Sequence, residues 1–442
     1  MLKLSARDHR RTVAATLVAA VLLAGLAPTV SAGKRGAGNL DGKFGSHGKV
    51  VTTITAPASV RAPAAGGSET FVLSLAQQPS GKVVAMGFHN DLTNDYYALA
   101  RYSDGVLDTS FGTNGTVVFT PGAGHPAGMS IQSDGKIIVA GSLDLSTSGC
   151  QADFLVMRLD VDGAPDTSFG TSGQVVTDFG GCDAANAVTV ADDDSIAVTG
   201  FTGGGGDVAV ARYDADGIPD AGFGSGGKAT APGLGTGQSV VIQSSGRVVI
   251  GANNTGDFGL LGFTSGGVLD SSFGTGGSTS TFFGDNDSAV LAAIALRADG
   301  GIVAVGGNYD FDVNRYNVAV AAYDASGDLD PAFGSGGTVQ TDISGAGGED
   351  QAGGVAVQPD GKIVVAGWSC LANCDFAVVR YLDSNGALDS SFGHGGVVTT
   401  DFASGSGDLA RPVLIQADGK IVAGGQSDAP GLSAFALARY KS

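Results

Sequence analysis

Three short motifs recur in a fixed order, seven times each, along this 442-residue chain, and no other feature limits the fold so tightly. The first has the form L-D-x-x-F-G-x-x-G. It places Phe44, Phe111, Phe169, Phe223, Phe273, Phe333 and Phe392 50 to 67 residues apart, with a mean spacing of about 58. The second, P-D-G-K-I-V-V-A-G, ends at Gly87, Gly141, Gly200, Gly251, Gly306, Gly367 and Gly424. The third, F-A-V-A-R-Y, ends at Tyr102, Leu159, Tyr213, Phe263, Tyr323, Tyr381 and Tyr440. Length alone would suggest about three domains. The repetition makes it one.

Each unit reads as four short strands. The clearest copy predicts strands over 354–358, 362–367, 376–381 and 397–402, with the Asp360-Gly361 turn between the first two. β-Branched residues between glycine-rich turns leave no room for a helix. Four strands in about 58 residues is the size of one propeller blade. An open solenoid is the competing arrangement, but its rungs are shorter and its end repeats need caps. Here residues 40–45 and 435–440 are complementary pieces of one unit. The expectation is therefore an all-β, seven-bladed β-propeller of four-stranded blades, with the strand 49–54 completing the blade formed by 411–440 and covering both free edges.

Composition supports this reading and removes several function classes. The 74 glycines and an acid content that is almost entirely Asp suit tight turns rather than exposed helix faces. With 24 basic against 43 acidic residues and a net charge of −19, the chain is unsuited to nucleic acid or an anionic membrane. Lys3, Arg7, Arg10 and Arg11 precede an apolar run from Val13 to Leu26 and then Val30-Ser31-Ala32. This pattern predicts a signal peptide over 1–32, a short flexible N-terminus over 33–39 and a single propeller over 40–442. No second apolar segment follows, so no membrane span is expected. In an exported, secreted or cell-surface chain, Cys150 with Cys182 and Cys370 with Cys374 read as two disulfides. Zinc is disfavoured, because paired C-x-x-C knuckles are missing.

The units 388–396, 358–367 and 376–381 resemble the delta-60 repeat, a bacterial β-propeller family, and the likeness runs from about residue 40 to 442. The resemblance implies a propeller and frequent export, and implies no reaction. The chain departs from the pattern at Gly262 and Ala322, where Arg is expected, and at 191–195, where Ala-Asp-Asp-Asp-Ser replaces Q-P-D-G-K. Those units are expected to close less regularly.

The repeated residues read as scaffold. The seven phenylalanines suit anchors between blades. Arg101, Arg158, Arg212, Arg380 and Arg439 suit ion pairs to Asp108, Asp166, Asp220, Asp389 and Asp41. Gln78, Gln132, Gln243, Gln358 and Gln416 end the strand nearest the axis, either lining a channel mouth or hydrogen-bonded within the ring. The Asp-rich stretches 160–166 and 214–220 resemble parts of calcium loops, but they lack the bidentate Glu and read as Asx turns. No cofactor is expected; calcium is the one that oxygen-rich turns would suit.

Function on such a scaffold belongs to loops that differ between blades. The loops 89–95, 142–152, 308–317, 368–374 and 426–433 should share a face with 56–68, 180–183, 284–288 and 344–351. They carry Asp91, Asp95, Asp285, Asp287, Tyr309, Asp310, Asp312 and Trp368, with Tyr96 immediately beside the first of them. Carboxylates beside exposed rings suit a sugar, and those residues are the candidate ligand-binding set. No H-E-x-x-H or G-x-S-x-G motif is present, and Gly222 to Gly227 spells G-x-G-x-x-G only within a repeated turn. The expectation is a monomeric binding scaffold for a glycan, peptide or protein, without catalysis. The alternative is a glycan hydrolase or lyase using loop carboxylates from different blades, with calcium assisting.

Overall fold

The computed structural model describes residues 36–55, 69–90, 95–120, 124–144, 152–204, 206–254, 256–284, 287–345, 347–429 and 431–442. The chain divides into Met1–Gly33 and Lys34–Ser442, and every described residue lies in the second unit. These residues form seven antiparallel sheets and no helix. Blades 1 to 7 begin at the inner strands Glu69–Gln77, Pro126–Ile131, Ala184–Val190, Thr236–Ile242, Asp287–Leu296, Glu349–Val357 and Asp408–Ile415. Blade 6 is typical, running outward through Glu349–Val357, Ile363–Cys370, Cys374–Tyr381 and Val397–Thr400. Blade 1 carries an additional short strand, Val106–Leu107, paired with Asp95–Ser103.

The architecture is the seven-bladed propeller that the repeat demands. Its core lies between blades, because a sheet with two apolar faces must bury both. Seven clusters of buried side chains fill the seven junctions, and each contains one fully buried phenylalanine of the F-G turns: Phe44, Phe111, Phe169, Phe223, Phe273, Phe333 or Phe392. Five junctions add a hydroxyl pair. Tyr102, Tyr213, Tyr323, Tyr381 and Tyr440 each lie 2.6–2.8 Å from the Oγ1 of Thr52, Thr177, Thr281, Thr341 or Thr400 on the outer strand of the preceding blade.

The ring closes as the complementary chain ends require. Lys49–Thr52 pairs with Ala434–Tyr440 and becomes the outer strand of blade 7. The closure reaches further back than the expected domain start at residue 40. Gly38 N–H donates to the Lys441 carbonyl (2.8 Å), Lys441 N–H to the Asn39 carbonyl (2.9 Å), and Gly393 N–H to the Ala37 carbonyl (3.0 Å). The last bond is the seventh member of a set, since the F-G glycine of every blade donates in the same way to the following turn. Residues 36–39, assigned from sequence to a lead-in, are part of the ring.

Every inner strand carries a β-bulge at one level, between Val72 and Ser74 in blade 1 and at the matching place in the other six. The bulge brings an inner-strand carbonyl against the second strand. A Cβ at Gly87, Gly200, Gly306, Gly367 or Gly425 would lie 1.7–1.9 Å from that oxygen, so the second motif must end in glycine there. The register makes Gly425 the blade 7 member, rather than Gly424, and gives the place to Ala252 in blade 4. The bulged segments of all seven inner strands surround an axial cavity of about 230 Å³.

Candidate functional site

The antiparallel order puts the Asp-Gly turns and F-G turns on one face, here the lower. The hairpins between second and third strands, and the crossovers to the next blade, lie on the upper face. The lower face is occupied by locks. The five expected ion pairs are present, from Arg101 to Asp108 (2.7 Å) through Arg158 to Asp166, Arg380 to Asp389 and Arg439 to Asp41 (2.9 Å each) to Arg212 to Asp220 (3.4 Å).

Blades 4 and 5 do not lose the lock where Gly262 and Ala322 replace arginine. Arg247, in the position of the lysine of P-D-G-K, reaches Asp270 at 2.7 Å, and Arg297, in the position of the glutamine, reaches Asp330 at 2.9 Å. The irregularity expected there is removed by a guanidinium from another strand. Blade 3, which has Ala191 and Ser195 at the glutamine and lysine positions, holds the longest of the seven bridges. Its Asp194 takes the turn glycine's left-handed conformation at φ 63° and bonds back to Ser133 of blade 2.

The glutamines are buried and do not line a channel mouth. The Gln78 amide is fully spent: its Nε2 donates to the Gly135 and Val161 carbonyls of the next blade at 2.9 Å, while its Oε1 accepts from Arg101 of its own blade. Gln132 and Gln243 make the same crossings. The calcium-like stretches close as Asx turns, Asp160 Oδ1 accepting from the amides of Asp162 and Ala164, and Asp214 Oδ1 from those of Asp216 and Ile218.

Among the lower-face carboxylates, Asp108 is held far below its ordinary pKa by the Lys82 ammonium and the Ser110 hydroxyl, with Arg101 adding its charge. Asp270 is brought down to about 2 by the Ser272 hydroxyl and amide, then by Arg247. These groups are charged and committed to the scaffold.

The upper face differs from blade to blade. On blade 5, Asp287 stands opposite Asp310 in the ladder and accepts from Asn308 Nδ2 at 2.7 Å. The Tyr309 ring meets Phe311 and Tyr316 edge-on, each at 4.9 Å, and its hydroxyl donates to Asn314. Asp310 accepts from the amides of Asp312 and Val313, so it shapes its own turn. Asp312, Phe311 and Val313 are exposed. Trp368 of the neighbouring blade 6 is half-buried, opposite Gln351 and Phe376, on the hairpin that the Cys370–Cys374 disulfide closes beside exposed Leu371.

The blade 1 candidates sit apart from these. Asp95 is engaged by Asn90 Nδ2 (2.6 Å) and by His125 Nδ1 (2.8 Å). Tyr96, expected as an exposed ring, is buried at 1% exposure against His89, because its strand position faces a blade junction. Asp91, Asp285 and Cys150 lie outside the described residues, and with Cys150 the proposed bridge to Cys182.

Two further acidic groups stand on this face. Asp153, Asp178 and Asp183 present carboxylate oxygens within 4.8 Å of one another, and Asp375, Asp401 and Asp408 do the same. Burial, then the charges of the two neighbouring carboxylates, pushes Asp153 and Asp375 up. Of these six, only Asp183 falls in a loop singled out from sequence. The missed signal is a recurring Asp-Phe pair at 153–154, 178–179, 375–376 and 401–402, whose rings pack at 4.9 Å within each blade.

The fold and this arrangement of faces define the protein as a seven-bladed β-propeller with a uniform lower face and a variable upper one. Four segments, 132–169, 192–223, 358–392 and 416–442, match the family model described as a β-propeller domain of unknown function, DUF5122. No curated protein matches the sequence. Among solved structures, polysaccharide lyase Uly1 is similar at 10% identity and TM-score 0.47, over 89% of this chain and 98% of that one. A protein of unknown function from Dyadobacter fermentans matches at 10% identity and TM-score 0.45, over 88% and 97%. A Lactobacillus plantarum protein matches at 18% identity and TM-score 0.43, over 75% and 84%.

Proposed function

We propose that this protein is an exported binding scaffold of the delta-60 repeat type, secreted or held at the cell surface, which takes a glycan, peptide or protein on its upper face without catalysis. The observation that carries the reading is the division between faces. The repeated Arg, Asp and Gln columns are consumed by ion pairs and cross-blade hydrogen bonds below. The side chains that differ between blades, Tyr309, Phe311, Asp312 and Trp368, lie above on adjacent blades. The exposed Phe311 ring and the half-buried Tyr309 and Trp368 rings, beside carboxylates, offer stacking and hydrogen-bond acceptance together, the combination a sugar or an aromatic peptide uses. The acids Asp95, Asp287 and Asp310 already accept hydrogen bonds that hold their own loop or the neighbouring strand, which suits positioning rather than proton transfer. Among the described residues no helix is long and apolar enough to cross a membrane.

The test is a binding screen of the purified protein against glycans, peptides and cell-wall fractions. Binding that is lost in Tyr309→Ala and Trp368→Ala, with folding retained, supports the scaffold. Turnover of any polymer in the same screen overturns it in favour of the hydrolase or lyase.

A further inference from the structure

We infer that Asp153, Asp178 and Asp183 form one calcium site, and Asp375, Asp401 and Asp408 a second, each bracing a crossover against a hairpin on the upper face. The two trios occupy equivalent places. In each blade the first Asp precedes the phenylalanine paired with the outer-strand threonine, Phe154 with Thr177 and Phe376 with Thr400; the second follows that threonine, and the third enters the next blade. Recurrence at one register in blades 2 and 6 reflects the blade's geometry, not a chance gathering of surface acid.

The third member of each trio supplies a separate sign of a missing partner. Asp183 and Asp408 are fully buried. In each, Oδ2 accepts a backbone amide, from Phe179 at 2.6 Å or Phe402 at 2.8 Å, and Oδ1 has no hydrogen-bond partner, although the residue belongs to a group of three carboxylates. A buried carboxylate with one bare oxygen, grouped with two more carboxylates, is costly unless a cation neutralises it. The nearby lysines do not serve. Lys228 and Lys49 spend their ammonium groups on the Asp178 and Asp401 carbonyls, at 2.7 and 2.9 Å, each above a phenylalanine ring. Among the described residues no ion pair reaches any of the six carboxylates.

Blade 5 shows what the same place looks like with one acid fewer. Asn317 stands where Asp375 stands, leaving Asp342 and buried Asp350, and Arg315 Nη2 lies 3.0 Å from Asp342. Asp350 Oδ1 is also unpartnered there, but the pair of carboxylates already has a guanidinium beside it. In blade 4 the ring pair persists as Phe258 and Phe283 at 4.8 Å while Phe282 replaces the second acid. The packing therefore does not require the acids.

Three carboxylates with no nitrogen or sulfur ligand select a hard cation. At calcium's bond lengths two oxygens on one ion can stand up to roughly 5 Å apart, against about 4 Å for magnesium, and water completes calcium's six to eight ligands. The oxygens of each trio, all within 4.8 Å of one another, fall inside calcium's span, and calcium's tolerance of irregular geometry favours it over magnesium, which demands a near-ideal octahedron.

Calorimetric titration of the metal-free full chain tests this. The expected result is two calcium ions per chain, with magnesium bound at least about tenfold more weakly. Asp183→Asn and Asp408→Asn should each leave one ion and the double variant none, whereas Asp350→Asn should keep both. Circular dichroism checks folding. If the buried variants do not fold, Asp178→Ala and Asp401→Ala, at exposed positions, must each remove one ion. No saturable calcium uptake, a stoichiometry untouched by these variants, or equal affinity for magnesium would overturn the assignment.

Discussion

Arg247 lies 2.7 Å from the Asp270 carboxylate, although it stands at the turn leading into the strand next to the one that supplies arginine in most other blades. Asp270 keeps its place at the F-G turn, and the cation changes strand. What the repeat maintains is a positive charge beside the turn aspartate, together with an aromatic ring beneath it. Arg247 lies over Phe273 at 5.6 Å much as Arg380 lies over Phe392 at 4.5 Å. A lock that survives relocation of its own residue is a structural device, which is why chemistry has to be sought on the other face.

Arg247→Ala should therefore destabilise the fold as Arg380→Ala does, by about 1–3 kcal/mol, because each leaves a mostly buried carboxylate without its guanidinium. The urea midpoint would fall with an unchanged slope. A midpoint equal to wild type for Arg247→Ala would mean that blade 4 does not use the relocated bridge.

The tyrosine–threonine pairs allow a sharper test, because the chain has already made the compensated change. Where Leu159 and Phe263 replace the tyrosine, Phe119 and Ala231 stand where the threonine would be. Tyr381→Phe alone should cost about 1–2 kcal/mol by leaving Thr341 without its partner, and Tyr381→Phe with Thr341→Val should recover most of that loss. Equal stabilities for the single and double variants would show that the hydroxyls do not couple.

The architecture was legible because repetition reports spacing seven times over. The Phe44 to Phe392 series, the Asp-Gly turns and the complementary ends each pointed to a closed ring. Relocated residues were less legible. Arg247 looks like the lysine of its motif and Arg297 like a break in the glutamine series, and only the fold shows both guanidinium groups arriving where Gly262 and Ala322 left a gap. The acidic trios were hidden for another reason: each draws on three separate elements, and Asp178 and Asp183 are brought to Asp153 only when the crossover folds back, with Asp183 N–H bonded to the Ala152 carbonyl at 2.7 Å.

Acid should loosen the lower face first. The folded pKa of Asp270 lies at about 2, and those of Asp108 and Asp166 are lowered further, against about 3.9 in an unfolded chain. Groups lowered on folding contribute stability that is complete above the unfolded value and is lost as pH falls through the folded one. Urea midpoints should hold down to about pH 4 and drop steeply from there toward pH 2. Arg247→Ala should flatten that drop only in part, since the Ser272 hydroxyl and amide depress Asp270 more than Arg247 does. A wild-type midpoint independent of pH across this window would contradict the assigned carboxylates.

Removal of residues 36–54 should open the ring. That segment supplies the outer strand of blade 7, fully buried Phe44 in the junction between blades 7 and 1, and Asp41, which accepts Arg439 at 2.9 Å. Without it the Ala434–Tyr440 strand has an unpaired edge, Arg439 loses Asp41 and keeps only Asp104, and the apolar faces of two blades lose their shared filling. The junction between blades 6 and 7 also loses Ala37 and Leu40, while the five others keep their own residues, so the strands should persist while cooperativity fails. Far-ultraviolet circular dichroism would retain β-sheet signal, and urea unfolding would become broad, with a reduced slope and a tendency to self-associate through the open edge. Addition of a peptide spanning 36–54 should restore a single sharp transition, because it returns the hydrogen bonds from Gly38 to Lys441 and from Gly393 to Ala37 as well as the strand. Sharp unfolding of the truncated chain without the peptide would place the closure elsewhere.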